Sequence, residues 1–258
     1  MISSEFWLYI FIGLILLNFI FSSVLDYVND KNWNDKIPDS LKDYYDKKKY
    51  STAKDYKKAR GRISLISSSL SITITLIILI TGFYGYVSDY IYTIFSSHFL
   101  HSAIFFLFFY FLNMLVSIPI NYYSTFIIEE KFGFNKTTKK TFLADILKGT
   151  MMSILIGGLL LALAILILNY FGEGFWFWLW LSLSIFTVFI SMFYTSLIVP
   201  IFNKLSPLED GSLKTKIQQY SDKIGYSLKN IYIIDGSKRS SKANAYFSGF
   251  GPKKTIAL

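Results

Sequence analysis

Five apolar runs interrupt an otherwise polar and basic chain: Phe6–Leu25, Ile63–Tyr84, Phe99–Ile120, Gly149–Phe171 and Phe175–Val199. Each has about the 20 residues that a helix rising 1.5 Å per residue needs to cross a bilayer. None contains Asp, Glu, Lys or Arg. The pattern predicts five transmembrane helices. The first run does not read as a typical cleaved signal peptide, because no basic residue precedes it, it is too long, and no A-x-A site comes after it.

The segments between the runs read differently. Pro38 is expected to start a short helix, and Tyr44–Arg62 has helical composition, with Tyr45, Tyr50, Ala53 and Tyr56 at roughly helical intervals. This predicts an interfacial helix leading into the second span. Tyr122–Lys148 reads as a loop with a tight turn at Phe132-Gly133-Phe134-Asn135. After it comes a helix capped by Thr141, on which Asp145 and Lys148 share a face. Two prolines and an Asp-Gly pair in Pro200–Gly211 break the chain away from the last span. Leu213, Ile217, Tyr220 and Ile224 then recur at helical spacing, predicting an amphipathic helix capped by Ser212 and Gly225. Asn230–Ile234 (NIYII) reads as a buried strand, Asn244–Phe247 as a second and Lys253–Leu258 as a third. The expected fold class is mainly α. It is a polytopic membrane protein with five transmembrane helices over residues 1–199, carrying cytoplasmic loops 26–62 and 121–148. Residues 200–258 form the start of a cytoplasmic α+β domain.

Charge settles the expected orientation. The chain carries 26 Lys and Arg against 17 Asp and Glu. Of the basic residues, 11 fall in Asp26–Arg62, 5 in Asn121–Lys148 and 10 in Pro200–Leu258. The two remaining connections, Gly85–His98 and Gly172–Gly174, have none. The positive-inside rule places the basic segments in the cytoplasm and the N-terminus outside. Basicity is therefore a topology signal, with attraction to anionic membrane lipid as its second use. Nothing motivates a nucleic-acid partner. There is no cysteine, which excludes disulfides and Cys-based metal or redox sites. A carboxylate or Lys inside a span, the usual mark of an ion-coupled transporter, is absent from all five runs.

Smaller features carry less. Gly157-Gly158 in the fourth span is expected to be a close-approach site between helices. The first Trp-rich turns of the fifth span, FWFWLW, predict an aromatic belt at the outer interface. Glu129 and Glu130 are adjacent, so on a helix they diverge and do not form a general acid–base pair. His98 and His101, the chain's two histidines, lie at i, i+3 with no acidic cluster beside them. They read as interfacial residues rather than metal ligands.

Three ordered stretches carry a family resemblance: Ser124–Lys148 with its EEKFGFNKTT core, Leu197–Lys214 (LIVPIFNKLSPLEDGSLK), and Ile231–Gly251 (IYIIDGSKRSSKANAYFSGFG). Together with the span arrangement, they resemble the N-terminal half of the CAAX prenyl proteases of type 1. The resemblance implies a hollow barrel of membrane helices and a metalloendopeptidase that removes the last three residues of prenylated CAAX proteins. It implies a Zn2+ held by an H-E-x-x-H helix and a later Glu, the motif Glu acting as base. Asn244, Ala245 and Tyr246 match the family's substrate-binding strand, where an extended peptide would pair with an exposed sheet edge. Lys238 and Arg239 match the family's basic pair, which would orient the hairpin, meet acidic groups or remain exposed. Lys242 stands where the family often has His, so no role passes to that side chain.

No H-E-x-x-H occurs in the chain. The metal and catalytic residues are expected beyond Leu258, with none bound by these 258 residues, which alone are expected to be inactive. The strand-like run Lys253–Leu258 has no cap or polar tail and is expected to lead into further sequence. The alternative is a non-catalytic membrane scaffold or a peptide-binding relative. Partners expected are membrane lipid and a peptide or prenylated protein.

Overall fold

The computed structural model describes residues 3–33, 36–44, 46–226, 228–250 and 253–258. Tyr45, first in the predicted tyrosine spacing, and Gly251, last in the hairpin motif, lie outside them. The chain forms two compact units, one ending at Gly133 and the other running from Phe134 to Leu258.

The first unit is helical. α1 (Ser4–Lys31) is capped by Ser3, whose side chain accepts from the Phe6 amide, and its Glu5 and Lys31 complement the helix dipole. α2 (Lys47–Ile80) begins where the Asp46 carboxylate accepts from the Lys49 amide at 2.7 Å. Over its 34 residues nothing breaks the hydrogen-bond ladder, so the expected interfacial helix and the second span are one continuous helix. Gly82, at φ 68°, then turns the chain into α3 (Phe83–Ile94). The polar connection expected from Gly85 is thus mostly helix, because Val87 and Ile91 supply one buried face. α4 (His98–Tyr123) starts at a Ser97 cap.

Instead of the loop expected from Tyr122, the helix runs on through a π-helical turn, Ser124–Glu129. Tertiary contacts explain the difference. Ser124 and Ile128 are buried. Glu129 accepts from the Tyr56 hydroxyl at 2.5 Å and lies 3.9 Å from the Arg60 guanidinium, which also donates to the Ser124 hydroxyl. Phe132 meets the Tyr56 ring edge-to-face at 5.3 Å. Glu129 is therefore a structural anchor between α2 and the end of α4. Lys57 ties α2 to α1 through Asp30 at 3.1 Å and the Trp33 ring. His101 is committed to the carbonyl and hydroxyl of Ser88, 3.0 and 3.2 Å away.

In the second unit, α5 (Lys139–Phe171) is capped by Thr138 rather than Thr141: the Thr138 hydroxyl accepts from the Thr141 amide. A 3-10 turn, Gly172–Gly174, separates it from α6 (Phe175–Leu197). Among the described residues, four continuous apolar helical stretches are long enough to cross a membrane. The last covers 64 residues and contains both α5 and α6, of 33 and 23 residues, so the helices provide five spans. Trp178 at the start of α6 stacks on Phe171 at 4.7 Å. The expected close approach at Gly157-Gly158 is not made: a Cβ at either would meet nothing within 4 Å. Large apolar side chains such as Phe11, Leu17, Leu155 and Leu166 stand exposed along the spans, as surfaces solvated by lipid require.

After the short α7 (Val199–Phe202), β1 (Leu205–Pro207) leads to α8 (Ser212–Lys223). α8 ends at Gly225, φ 68°, with the Tyr226 amide bonded to the Ser221 carbonyl and the Gly225 amide to that of Asp222, a Schellman stop. β2 (Asn230–Ile234), β3 (Tyr246–Ser248) and β4 (Thr255–Ala257) complete a four-stranded sheet of order β1-β2-β4-β3. β2 and β4 are parallel, and both outer strands are antiparallel to their neighbours. The expected second strand begins two residues late, at Tyr246, leaving Asn244 and Ala245 in the approach to it.

Candidate peptide-binding edge strand

The site is assembled by the connection between β2 and β3. Asp235 opens it, its carboxylate accepting from the Ser237 hydroxyl at 2.6 Å. That bond, helped by the nearby Lys238 and Lys204 charges, holds the Asp235 carboxyl below its ordinary range. The amides of Arg239 and Ser240 both return to the Gly236 carbonyl, making a compact turn. The far side of the turn lies along residues 134–137. Ser241 donates to the Phe134 carbonyl, Lys136 to the Arg239 carbonyl, and the Thr137 hydroxyl to the same Arg239 oxygen at 3.1 Å. Lys242 places its ammonium 4.5 Å from the Phe134 ring centre.

Arg239 holds this connection in place. Its Nε and Nη2 donate to the two carboxylate oxygens of Asp145 on α5, both at 2.6 Å, and its Nη1 donates to the Asn203 amide oxygen at 2.8 Å. The two charged side chains keep only 27% and 26% of their surface exposed. A planar guanidinium forked on a carboxylate is the strong form of this interaction, because two parallel bonds fix angle as well as distance. The Asp145 hydrogen bonds raise the Arg239 pKa above its ordinary value against the opposing effect of burial. Three elements distant in sequence thus converge on one cation. Lys148, one turn after Asp145, adds a bond to the Ile201 carbonyl at 2.9 Å. Lys238, the other member of the basic pair, stays 72% exposed and lies 3.9 Å from Asp235.

The strand after this turn sits at the edge of the sheet. β3 pairs with β4 on one side, in the register Tyr246↔Ala257, Phe247↔Ile256 and Ser248↔Thr255. Its other side has no strand neighbour among the described residues. Alternation sorts the side chains. Tyr246 and Ser248 face the end of α6, where the buried Thr195 hydroxyl lies 2.5 Å from the Ser248 hydroxyl and 3.4 Å from that of Tyr246, and the Tyr194 and Tyr246 rings meet at 6.1 Å. Phe247 points the other way, near the Tyr226 ring, and is 75% exposed. Asn244 and Ala245 are exposed, and the Asn244 side-chain oxygen accepts from the Ala245 amide at 2.9 Å. The turn out of β3 requires glycine: Gly249 has φ 90°, and a Cβ there would lie 2.1 Å from the Lys253 carbonyl oxygen.

Of the sequence-predicted residues, Tyr246 opens the edge strand and Asn244 and Ala245 lead into it, with Arg239 the clamp behind them. Asp145, Asn203 and Thr195 are members of the site that sequence reasoning does not find. Asp145 reads there only as a helix-face neighbour of Lys148, but its partner is 94 residues away. Among the described residues, no three His, Asp or Glu side chains gather as a metal site would require.

Known proteins share this architecture. The sequence profile of the CAAX prenyl protease N-terminal region, with five membrane helices, matches residues 26–204, and that of peptidase family M48 matches residues 207–258. The probable CAAX prenyl protease 1 of Schizosaccharomyces pombe is 34% identical over 243 residues, 87% of this chain and 50% of that protein. CAAX prenyl protease 1 of Saccharomyces cerevisiae is 31% identical over 254 residues, 94% of this chain and 56% of that protein. The crystal structure of S. mikatae Ste24p superposes with a TM-score of 0.84 at 32% identity, over 98% of this chain and 61% of that one. The chain spans about half the length of the curated relatives it matches.

The clamp makes a measurable prediction. Arg239→Ala leaves a half-buried carboxylate without its partner and should destabilise the protein by about 2 kcal/mol, discounted from the fully buried case for the remaining exposure. Arg239→Lys, a point charge in place of a fork, should recover less than half of that. Thermal unfolding in detergent of Arg239→Ala, Asp145→Asn and the double variant gives the coupling. A coupling near zero would contradict the clamp.

Proposed function

The chain belongs to the CAAX prenyl protease 1 family, and from that premise we propose that it supplies the membrane spans and the peptide-binding edge of a membrane metalloendopeptidase acting on prenylated CAAX proteins. The observation that carries this reading is β3. It is a short strand with one side unpaired among the described residues, starting at Tyr246 with the matched Asn244 and Ala245 in the approach to it, and fixed to α6 through Thr195 and Ser248.

An extended peptide added to that edge would gain main-chain hydrogen bonds that are blind to its side chains, and so would be fixed in register and direction. The exposed Asn244 amide can donate through its NH2 to a substrate carbonyl while its oxygen remains on the Ala245 amide. Tyr246 brings an aromatic ring to the start of the edge. In this reading the metal is Zn2+, which would supply Lewis-acid activation of water, and it is held by residues other than those described. The substrate-binding residues are Asn244, Ala245 and Tyr246. Arg239 and Asp145 position them without touching the peptide.

Orientation comes from the basic segments. Residues 26–62, 121–148 and 200–258 are cytoplasmic in this reading, and the N-terminus is outside. Because the chain has no cysteine, single cysteines introduced at Ser3 and at Ser212 test this directly with a membrane-impermeant maleimide on intact cells. Ser3→Cys should label and Ser212→Cys should not; the opposite pattern would reverse the topology.

The functional test uses the full-length protein and a farnesylated CAAX peptide. Asn244→Ala, losing one hydrogen bond to substrate, should lower kcat/KM about tenfold with the folded fraction unchanged. A full-length protein that binds the peptide without cleaving it would replace this reading by the peptide-binding scaffold. Unchanged kcat/KM in both Asn244→Ala and Tyr246→Ala would remove β3 from the site.

A further inference from the structure

The cytoplasmic half of α2 has two unlike faces. At 3.6 residues per turn, Tyr50, Tyr56, Lys57 and Arg60 fall on one side. That side is occupied: Tyr50 packs on Trp33, Tyr56 and Arg60 engage Glu129, and Lys57 engages Asp30. Lys47, Lys58 and Arg62 fall together within an arc of about 60° on the opposite side, by the same helical geometry. All three are exposed, and none has an acidic partner among the described residues. Asp55, the one acidic residue between Lys47 and Arg62, is exposed beside this stripe. The stripe continues into the span as Leu65, with Ile66 next to it, and these are 53% and 60% exposed.

The position of this stripe selects its occupant. Lys58 and Arg62, five residues and one residue before the bilayer entry at Ile63, lie within about a Debye length of the headgroup plane, where anionic lipid attracts them. A soluble acidic ligand would complement Lys58 and Arg62 but not the apolar surface directly below them. A phospholipid complements both, with its headgroup on the cations and its acyl chain along Leu65 and Ile66.

We infer that this face of α2 binds an anionic phospholipid of the adjoining leaflet, with its headgroup on Lys58 and Arg62. The inference does not depend on the peptide-binding reading. The bound lipid would fix the depth at which α2 leaves the membrane, and with it the depth of Glu129, which α2 holds.

The test uses the full-length protein in nanodiscs of equimolar phosphatidylcholine and phosphatidylserine, then re-extraction and counting of retained lipids by native mass spectrometry. Each basic side chain near the surface is worth about a fivefold preference. The wild type should therefore retain phosphatidylserine over phosphatidylcholine by about tenfold or more, and Lys58→Gln/Arg62→Gln should lose most of that. A charge-matched control away from this face, Lys216→Gln/Lys223→Gln on α8, should retain it. Equal loss in both double variants would mean that net charge and not this face selects the lipid, and would overturn the inference. So would the absence of any phosphatidylserine excess in the wild type. Should the α2 variant not fold, the wild type decides by itself. Its excess must fall steeply as salt rises from about 0.05 to about 0.5 M, since exposed charges are screened, and a salt-insensitive excess would contradict headgroup capture by these side chains.

Discussion

A guanidinium withdrawn three-quarters from water needs acceptors for its donors, and Arg239 finds them in two side chains that no local turn could provide. Asp145 comes from the second turn of α5 and Asn203 from the end of α7, and the connection between β2 and β3 is fastened to both. Remove the cation and a carboxylate is left in partly desolvated surroundings, with the Asn203 amide deprived of the same donor. The fork also has a direction. Because both carboxylate oxygens are engaged, the backbone of the turn is oriented as well as attached, and the Arg239 carbonyl is then available to Lys136 and Thr137.

The strand beyond the turn inherits that placement. β3 starts seven residues after the clamp, and its inward side chains meet a second anchor, Thr195 on the last span. A three-residue strand at the edge of a small sheet would be weak alone. Held at one end by an ion pair and at its inner face by hydroxyls, it presents an open edge whose position is referred to membrane helices rather than to its own sheet. An edge left open is ordinarily a hazard for aggregation. Here it is short, begins next to the exposed Asn244 and Ala245, and adjoins membrane helices, and in the proposed function it receives one extended peptide.

Much of this architecture is legible in the sequence because its causes are local. The five spans come from uninterrupted apolar runs, and α8 from its spacing and Gly225. β2 is expected at Asn230–Ile234, the residues that form it. The failures share another cause, contacts distant in sequence. Leu205–Pro207 reads as a break because it carries Ser-Pro, yet it pairs with β2 at the other edge, where proline is tolerated. The helix after Tyr122 reads as loop because it lies between the third and fourth apolar runs, and nothing near it in sequence announces Tyr56 and Arg60. The expected strand Asn244–Phe247 begins at Tyr246 in the structure, leaving Asn244 and Ala245 ahead of it. Arg239 reads as a basic residue near the hairpin, whereas the identity of its partner, and so its structural meaning, requires the fold. Thr195, one hydroxyl in an apolar span, gives no signal at all.

The central claim is that β3 offers a fixed, open edge to an extended peptide. Hydrogen exchange at the amides of residues 244–248 in the full-length protein, with and without a farnesylated CAAX peptide, addresses it most directly. The account predicts marked slowing on peptide addition, confined to this strand and its approach, and loss of that slowing in Arg239→Ala. Exchange at these amides that is indifferent to the peptide, with protection appearing elsewhere, would contradict it.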